Sequence, residues 1–178
     1  FLNEDILRAG LIIESSKKKK TYYDRYRDRI IFPITNSHGK IVGFGGRVLN
    51  TEDKPKYMNS PETEIFHKGD ILFNFSNIKS TTSKIDNLVI VEGYMDAISL
   101  CSFGFKNVVA PLGTAMTEKQ INLAWNLTDS PIICFDGDKA GKKASERVMD
   151  LVISKLKPGK NIRFINLDDG LDPDDYVK

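Results

Sequence analysis

Three short apolar runs in the second half of the chain each precede acidic residues, and this pattern constrains the fold more than any other feature. The runs cover residues 88–91, 131–135 and 162–167, and each is rich in Val, Ile or Leu. Segments with helical character separate them, so that short strands alternate with helices. Such alternation is typical of βαβ units with right-handed crossovers. The sequence therefore predicts an α/β domain in which helices flank a central parallel sheet.

Acidic side chains stand at or shortly after the ends of these predicted strands. There are six of them: Glu92, Asp96, Asp136, Asp138, Asp172 and Asp174. Ligands of open α/β sheets bind outside the carboxyl ends of the strands, so we expect these acids to meet at one edge. Asp96 follows Glu92 by four residues and can face the same site. We expect Pro173 to stiffen the acidic loop between its two flanking Asp residues.

Crowded carboxylates cannot all stay ionised without cations. Mg²⁺ is a hard cation that prefers oxygen ligands and is usually shared with substrate phosphates. The acids therefore predict a site for two or more Mg²⁺ ions, one to activate an attacking hydroxyl and another to stabilise a pyrophosphate leaving group. The alternative is that these residues only cap helices and line solvated turns.

Composition narrows the remaining classes of protein. Of 178 residues, 40% are hydrophobic, enough for a packed core, and the net charge is +2. Residues 1–70 contain 13 basic and 10 acidic side chains, against 13 and 14 in residues 71–178.

Cys101 and Cys134 form no zinc-binding spacing, so we expect buried free thiols and no zinc. No transmembrane run or signal peptide is visible. Because the chain starts at Phe1, we expect a fragment with flanking domains missing.

The first half of the chain has the pattern of a basic α+β region. Residues 29–34 and 41–49 read as two strands of a hairpin, and residues 50–70 as an ordered functional loop. Arg25, Arg27 and Arg29 alternate, which would place them on one face of an extended segment. That stripe would bind nucleic acid, or it would simply protect a sheet edge from aggregation. We expect residues 17–20, four consecutive lysines, to form a solvated loop with weak nonspecific attraction to DNA.

Ordered motifs along the chain resemble a known family. Val91-Glu-Gly-Tyr-Met-Asp followed by Asp136-Gly-Asp resembles the TOPRIM module of topoisomerases and primases. The wider set resembles the RNA polymerase core of bacterial DnaG-type DNA primases, and it includes the segments Asp24-Arg-Tyr-Arg-Asp-Arg, Gly43-Phe-Gly-Gly-Arg-Val-Leu, Pro55-Lys-Tyr-Met-Asn-Ser-Pro-Glu-Thr, Phe66-His-Lys-Gly and Leu112-Gly-Thr. One departure is Pro111, where many members have a small residue.

The resemblance implies a function and a division into domains. It implies a basic N-terminal subdomain of the primase core at residues 1–85 and a TOPRIM domain at 86–178, which we expect to be truncated at its C-terminal end. The implied activity is template-directed synthesis of short RNA primers on single-stranded DNA by metal-dependent nucleotidyl transfer. It would take place in the bacterial cytoplasm, within the nucleoid-associated replication machinery.

The same resemblance implies roles for individual residues. Those implied as catalytic are Glu92, Asp96, Asp136 and Asp138. Those implied as ligands of Mg²⁺, which Mn²⁺ would replace, are Glu92, Asp136, Asp138, Asp172 and Asp174. Nucleotide-binding residues would be Arg47, Lys56, Tyr57, Asn59 and Lys68. DNA-binding residues would be Arg25, Arg27 and Arg29.

Partners implied by the family are single-stranded DNA, ribonucleoside triphosphates, alarmone nucleotides, and a replicative helicase contacted through a domain absent here. Three alternatives stay open on the residues alone. A TOPRIM nuclease would use the same acids with water as the nucleophile. A topoisomerase would need a nucleophilic tyrosine, which no feature marks. A DNA-binding scaffold without activity would be expected to have lost some of the acids.

Overall fold

The computed structural model describes residues 1–50 and 52–178, and these divide into two compact units. The first unit comprises residues 1–36 and 40–67, and the second comprises residues 37–39 and 68–178. The boundary between residues 85 and 86, expected from the sequence, remains a prediction. Within the described residues, no helix combines the length and the apolar character that a membrane span requires.

The first unit is built mainly from short antiparallel strands. Its elements are α1 (Asn3–Arg8), β1 (Ile12–Glu14), β2 (Tyr22–Asp24), β3 (Arg29–Thr35), β4 (Ile41–Val48) and β5 (Tyr57–Asn59). Strands β1 and β2 form one hairpin, and β3, β4 and β5 form an antiparallel sheet in that order. The predicted β3–β4 hairpin is confirmed. Its turn is closed by backbone and side-chain hydrogen bonds between Asn36 and Lys40.

The predicted extended segment through the alternating arginines is wrong. Strand β2 ends at Asp24, residues 25–28 form a turn, and β3 begins only at Arg29. Asp28 adopts a left-handed conformation with φ +52°, which a strand cannot contain. The three arginines therefore do not share the face of one strand.

The second unit contains the predicted parallel sheet. After a 3₁₀ turn at Lys68–Asp70, its elements are α2 (Phe75–Thr81), β6 (Val89–Ile90), α3 (Tyr94–Ser102), β7 (Val108–Val109), α4 (Glu118–Leu127), β8 (Ile132–Phe135), α5 (Lys139–Ile153), β9 (Arg163–Asn166) and α6 (Pro173–Val177). The strand order is β7–β6–β8–β9, and all three pairings are parallel.

Helices cover both faces of this sheet, as buried parallel strands require. On one face, Ile90 and Ile133 pack with side chains of α4 and α5, including Trp125 and Val148. On the other face, Val91 and Cys134 pack with side chains of α3, including Leu100. Neighbouring strand residues thus point into opposite cores. The sheet is fixed from both sides, and the loops at its carboxyl edge start from rigid positions.

Gln120 is a buried polar side chain that joins the start of α4 to the preceding 3₁₀ turn. Its amide nitrogen donates to the carbonyl oxygens of Lys68, at 2.9 Å, and Ile71, at 2.8 Å. Its amide oxygen accepts from the Thr117 backbone N–H at 3.0 Å, and the Thr117 hydroxyl caps the helix by accepting from the Gln120 backbone N–H.

We expect Gln120→Ala to lower the free energy of unfolding by about 2–4 kcal/mol, because it leaves buried backbone groups unpaired and opens a cavity. Urea denaturation would measure the change. Asn126→Ala, at an exposed position of the same helix, is the control and should change stability by less than about 0.5 kcal/mol. Equal effects of the two substitutions would contradict the structural role of Gln120.

Candidate metal and nucleotide site

Glu92 and Asp96 are held at the turn between β6 and α3. Glu92 lies two residues after the end of β6, and Asp96 is the third residue of α3. The Asp96 carboxylate accepts a hydrogen bond of 3.0 Å from the Gly93 backbone N–H, which satisfies one of the free donors at the start of the helix. Asp96 therefore fixes the conformation of the turn that presents Glu92.

Asp136 and Asp138 lie between β8 and α5. Asp136 directly follows β8, and Asp138 caps α5 by accepting a 2.8 Å hydrogen bond from the Gly141 backbone N–H. Two glycines allow neighbouring segments of the chain to approach this turn closely. A Cβ atom at Gly141 would lie 2.1 Å from the Asp136 carbonyl oxygen and 2.7 Å from Oε1 of Glu92, and one at Gly137 would lie 2.0 Å from the Asp168 carbonyl oxygen. The absence of a side chain at Gly141 lets Glu92 approach the start of α5, and its absence at Gly137 lets the segment after β9 approach the Asp136 turn.

The last acidic segment begins a helix, not the stiff loop expected from the sequence. Asp172 caps α6 by accepting from the Asp175 backbone N–H at 2.8 Å, and Pro173 occupies the first helical position. Proline is favoured there because its missing N–H would have no partner in the helix. The Asp174 carboxylate accepts hydrogen bonds from the Ser99 hydroxyl on α3 and from Lys178. The Ser99 contact holds α6 against α3.

Each of the six predicted acids interacts electrostatically with at least one other member of the set. Burial and then the Asp136 charge raise the pKa of Glu92 to about 7, with smaller contributions from Asp138 and Asp96 and an opposing backbone hydrogen bond. Burial and then Asp136 raise the pKa of Asp96 to about 6; the Gly93 hydrogen bond opposes this rise, and Asp172 and Asp174 add to it.

Asp136 stands at the centre of this electrostatic group. Its pKa is raised by burial first, and then by the charges of Asp172, Asp138 and Asp175. The sequence-based set did not include Asp175, which the start of α6 places in the group. Repulsion of this kind is relieved when a cation binds between the carboxylates.

The donor set fits a hard divalent cation. Oε1 of Glu92 and Oδ1 of Asp136 are buried and accept no hydrogen bond, although buried polar atoms normally have partners. In the described part of the chain, no three Asp, Glu, His or Cys side chains are grouped closely enough to form a complete cage. Mg²⁺ does not require one, because it usually binds through one or two carboxylates, several waters and substrate phosphates.

A cavity of about 300 Å³ opens beside Glu92. Its lining includes Glu92, Arg147 of α5, and residues 113–116 of the loop after β7. Arg147 was not among the predicted site residues. No local sequence pattern could have indicated it, because its position beside the cavity depends on tertiary packing.

The predicted nucleotide-binding residues of the first unit cluster around one tyrosine. Arg47 of β4 lies opposite Tyr57 of β5, with its guanidinium carbon 5.7 Å from the centre of the Tyr57 ring. The Lys56 ammonium lies 5.5 Å from the same ring, and Asn59 lies two residues further along β5. Tyr57 is 41% exposed. The fifth predicted residue, Lys68, belongs to the 3₁₀ turn of the second unit.

The three predicted DNA-binding arginines lie in three different environments. Arg25 is half-buried, and its Nε atom is enclosed without an acceptor. Arg27 is exposed and places its guanidinium 4.9 Å from the centre of the Tyr23 ring. Arg29 donates to the Lys56 carbonyl oxygen at 3.4 Å. Of these three arginines, only Arg27 is exposed.

Two protein-family models match the chain. One is described as the DNA primase catalytic core, N-terminal domain, and matches residues 1–79. The other is described as Toprim-like and matches residues 89–177.

Curated relatives agree with these models. The DNA primase of Pseudomonas aeruginosa is 48% identical over 173 residues, which are 97% of this chain and 26% of the relative. The DNA primase of Escherichia coli K12 is 40% identical over 175 residues, which are 98% of this chain and 30% of the relative. The chain thus spans between a quarter and a third of the length of these two proteins.

Solved structures share the fold. A DNA primase domain from Pseudomonas aeruginosa matches with a TM-score of 0.90 and 47% identity, covering 98% of this chain and 54% of that one. The Escherichia coli primase catalytic core matches with a TM-score of 0.90 and 40% identity, covering 98% of this chain and 55% of that one. A DnaG primase catalytic domain bound to single-stranded DNA also matches with a TM-score of 0.90 and 40% identity. The match covers 98% of this chain and 53% of that one. The predicted fold class is confirmed.

The raised pKa values predict a pH dependence of stability in the metal-free protein. Glu92 would titrate near 4.5 when unfolded and titrates at about 7 when folded. Between these values the folded state holds a proton that the unfolded state has lost, so the free energy of unfolding should fall as the pH rises through this range.

Glu92→Gln should remove this contribution, so that the variant is more stable than the unsubstituted protein by about 1 kcal/mol at pH 8, after allowance for solvent screening, and no more stable at pH 4.5. Denaturation with a chelator present would measure both values. Glu146→Gln, at an exposed position of α5, is the control. A gain at pH 8 that is the same for both variants would contradict the electrostatic account.

Gly141→Ala should destabilise the protein by about 1–3 kcal/mol, because the new methyl group overlaps Asp136 and Glu92. The expected sign is unusual, since replacing glycine by alanine inside a helix normally stabilises by about 0.5–1 kcal/mol. Thermal unfolding would measure the change, with Ser145→Ala on the same helix as the control. A stabilised Gly141→Ala variant would show that the two acidic turns do not meet at this helix.

Proposed function

Because this chain belongs to the family of DnaG-type DNA primases, as a catalytic-core N-terminal domain followed by a Toprim-like domain, we propose that it forms the catalytic core of a primase. The activity would be template-directed synthesis of short RNA primers on single-stranded DNA during replication. The observation that supports this most directly is the electrostatic coupling of six carboxylates at the carboxyl edge of the parallel sheet.

A Toprim domain in a primase implies the use of divalent metal, and we propose Mg²⁺, with Mn²⁺ as a substitute. The carboxylates that would hold it are those of Glu92, Asp136, Asp138, Asp172 and Asp174. When bound, the metal would activate the attacking hydroxyl and stabilise the charge on the leaving pyrophosphate. The buried, unpartnered oxygens of Glu92 and Asp136 support this assignment.

The chain's own residues would position the reactants. In the proposed reaction, the 3′-hydroxyl of one ribonucleotide attacks the α-phosphorus of the next, and pyrophosphate leaves. The protein forms no covalent bond, so its contribution is orientation and charge stabilisation. Asp96 would hold the β6–α3 turn, and with it Glu92, in place. Arg147 would bind phosphate oxygens in the adjoining cavity.

The basic residues would bind the nucleotide and the template. Arg47, Lys56, Tyr57, Asn59 and Lys68 would contact the triphosphate and ribose of the incoming ribonucleotide, and alarmone nucleotides would compete there. The cations that surround the exposed Tyr57 ring support this role.

Arg25, Arg27 and Arg29 would contact the template, as a related catalytic domain was solved bound to single-stranded DNA. A replicative helicase would bind through a domain outside this chain. We place the protein in the bacterial cytoplasm, with the replication machinery at the nucleoid and without a membrane partner.

Primer synthesis tests this proposal. With single-stranded DNA, labelled ribonucleoside triphosphates and Mg²⁺ or Mn²⁺, we expect short RNA products that require template. Asp136→Asn should lower the yield at least about 100-fold, because it removes charge from the centre of the acidic group. Asp86→Asn, at an exposed position outside that group, should leave the yield unchanged.

Cleavage of the DNA when ribonucleotides are omitted, abolished by the same Asp136→Asn substitution, would instead identify a Toprim nuclease. RNA synthesis that persists in Asp136→Asn would place the chemistry elsewhere in the protein.

A further inference from the structure

The β1–β2 hairpin of the first unit displays the four consecutive lysines at its tip. Three residue pairs join the strands, from Ile12 opposite Asp24 to Glu14 opposite Tyr22. The tip is tied by backbone hydrogen bonds from Ser15 to Thr21, at 2.8 Å, and from Thr21 to Lys18, at 3.3 Å. The solvated loop expected from the sequence is therefore an ordered turn on a hairpin.

The lysine charges at this tip are not neutralised by ion pairs. All four lysine residues, 17–20, are exposed. Among the residues that the structure describes, no carboxylate forms an ion pair with any of them, whereas lysines elsewhere pair with Asp70, Asp129 and Glu118. The nearest acid with a contact to the tip is Glu14, whose carboxylate accepts the Lys20 backbone N–H at 2.9 Å. Four adjacent ammonium groups repel one another, and a polyanion would relieve that repulsion.

The basic character continues from the tip along β2 and into the following turn. Residues 15–29 contain seven basic side chains and only two acidic ones. Tyr23 lies on β2, is 40% exposed, and has the Arg27 guanidinium over its ring. Cations beside an exposed aromatic ring are the features that bind the phosphates and the stacked bases of single-stranded nucleic acid.

We propose that this hairpin, residues 12–24, is an additional binding element for single-stranded DNA. The lysines of its tip contact backbone phosphates, and Tyr23 offers a ring on which a base stacks. This inference rests on the proposed function, because it assigns a further contact to the same template. Phosphate contacts are independent of sequence, so the hairpin extends the footprint on the template without selecting bases.

Single-stranded DNA suits this surface better than the other polyanions. An acidic protein segment would use the lysines but would leave the Tyr23–Arg27 pair without a role. Duplex nucleic acid would offer phosphates, but its bases are already stacked on one another and would not lie on the tyrosine ring.

The test compares two triple variants that remove the same charge. The hairpin variant carries three substitutions at the tip, Lys17→Gln, Lys18→Gln and Lys19→Gln. Lys20 is left in place because its φ is +60°. The control variant carries three substitutions in the second unit, Lys79→Gln, Lys106→Gln and Lys157→Gln. Fluorescence anisotropy with labelled oligothymidine and with a duplex of equal length, at several salt concentrations, gives the affinity and its salt dependence.

For the hairpin variant, we expect affinity for oligothymidine to fall at least 10-fold at 0.1 M salt, and the slope of log affinity against log salt to become shallower by about 2. The control should lose less than about 3-fold. Equal losses in the two variants, or a loss that is greater for the duplex, would overturn the inference. If the unsubstituted protein bound no single-stranded DNA, both this inference and the proposed function would fail. If the unsubstituted protein bound single-stranded DNA and the hairpin variant bound it with the same affinity, the inference would fail and the proposed function would stand.

Two single substitutions sharpen the result. Glu14→Gln keeps an oxygen that can accept the Lys20 N–H but removes the nearby negative charge, so it should raise affinity for oligothymidine about 2-fold. Tyr23→Ala should lower that affinity while leaving the salt slope unchanged, because stacking releases no counterions. Weaker binding in Glu14→Gln, or a changed slope in Tyr23→Ala, would contradict the assigned contacts.

Discussion

The close approach of α5 to the end of β8 is the constraint on which the acidic site depends. No side chain fits at Gly141 or Gly137, because a Cβ atom there would meet backbone oxygen at about 2 Å. Asp138 caps α5 and thereby fixes its first turn. Cores on both faces of the sheet hold β6 and β8 side by side. Together these contacts place Glu92 and Asp136 so near each other that their charges interact strongly.

That arrangement opposes folding and favours cation binding for the same reason. Burial and mutual repulsion raise the pKa values of Glu92, Asp96 and Asp136, so at neutral pH the metal-free fold is held together against its own charges. The surrounding apolar cores supply the stability that offsets this repulsion between carboxylates. A carboxylate group that had relaxed into salt bridges would be more stable and would have less affinity for a metal.

Sequence patterns predicted the parallel sheet and the positions of the acids because strand ends and cap residues leave local signals. Thr117 before α4 is one such cap residue, and its hydroxyl accepts a hydrogen bond from the Gln120 N–H. The turn at residues 25–28 was missed because it depends on an unusual backbone conformation at Asp28. Helix α2 was missed because Asn74, with φ +66°, precedes it without a side-chain cap. Burial, which shifts the pKa of Glu92, and the position of Arg147 beside a cavity depend on tertiary packing that no local pattern contains.

The net charge of +2 conceals an uneven distribution of charge, with an acidic edge in the second unit and a surplus of basic side chains in the first. An acidic edge repels phosphates until a cation is bound, so it cannot by itself supply affinity for a nucleic acid. That affinity has to come from residues outside the edge, and the first unit has a surplus of basic side chains. Phosphate contacts by lysine and arginine weaken with salt, whereas partly buried carboxylates are screened much less. In the proposed function, attraction of the template and charge stabilisation at the reacting phosphate therefore fall to different residues, and each set can be altered without the other.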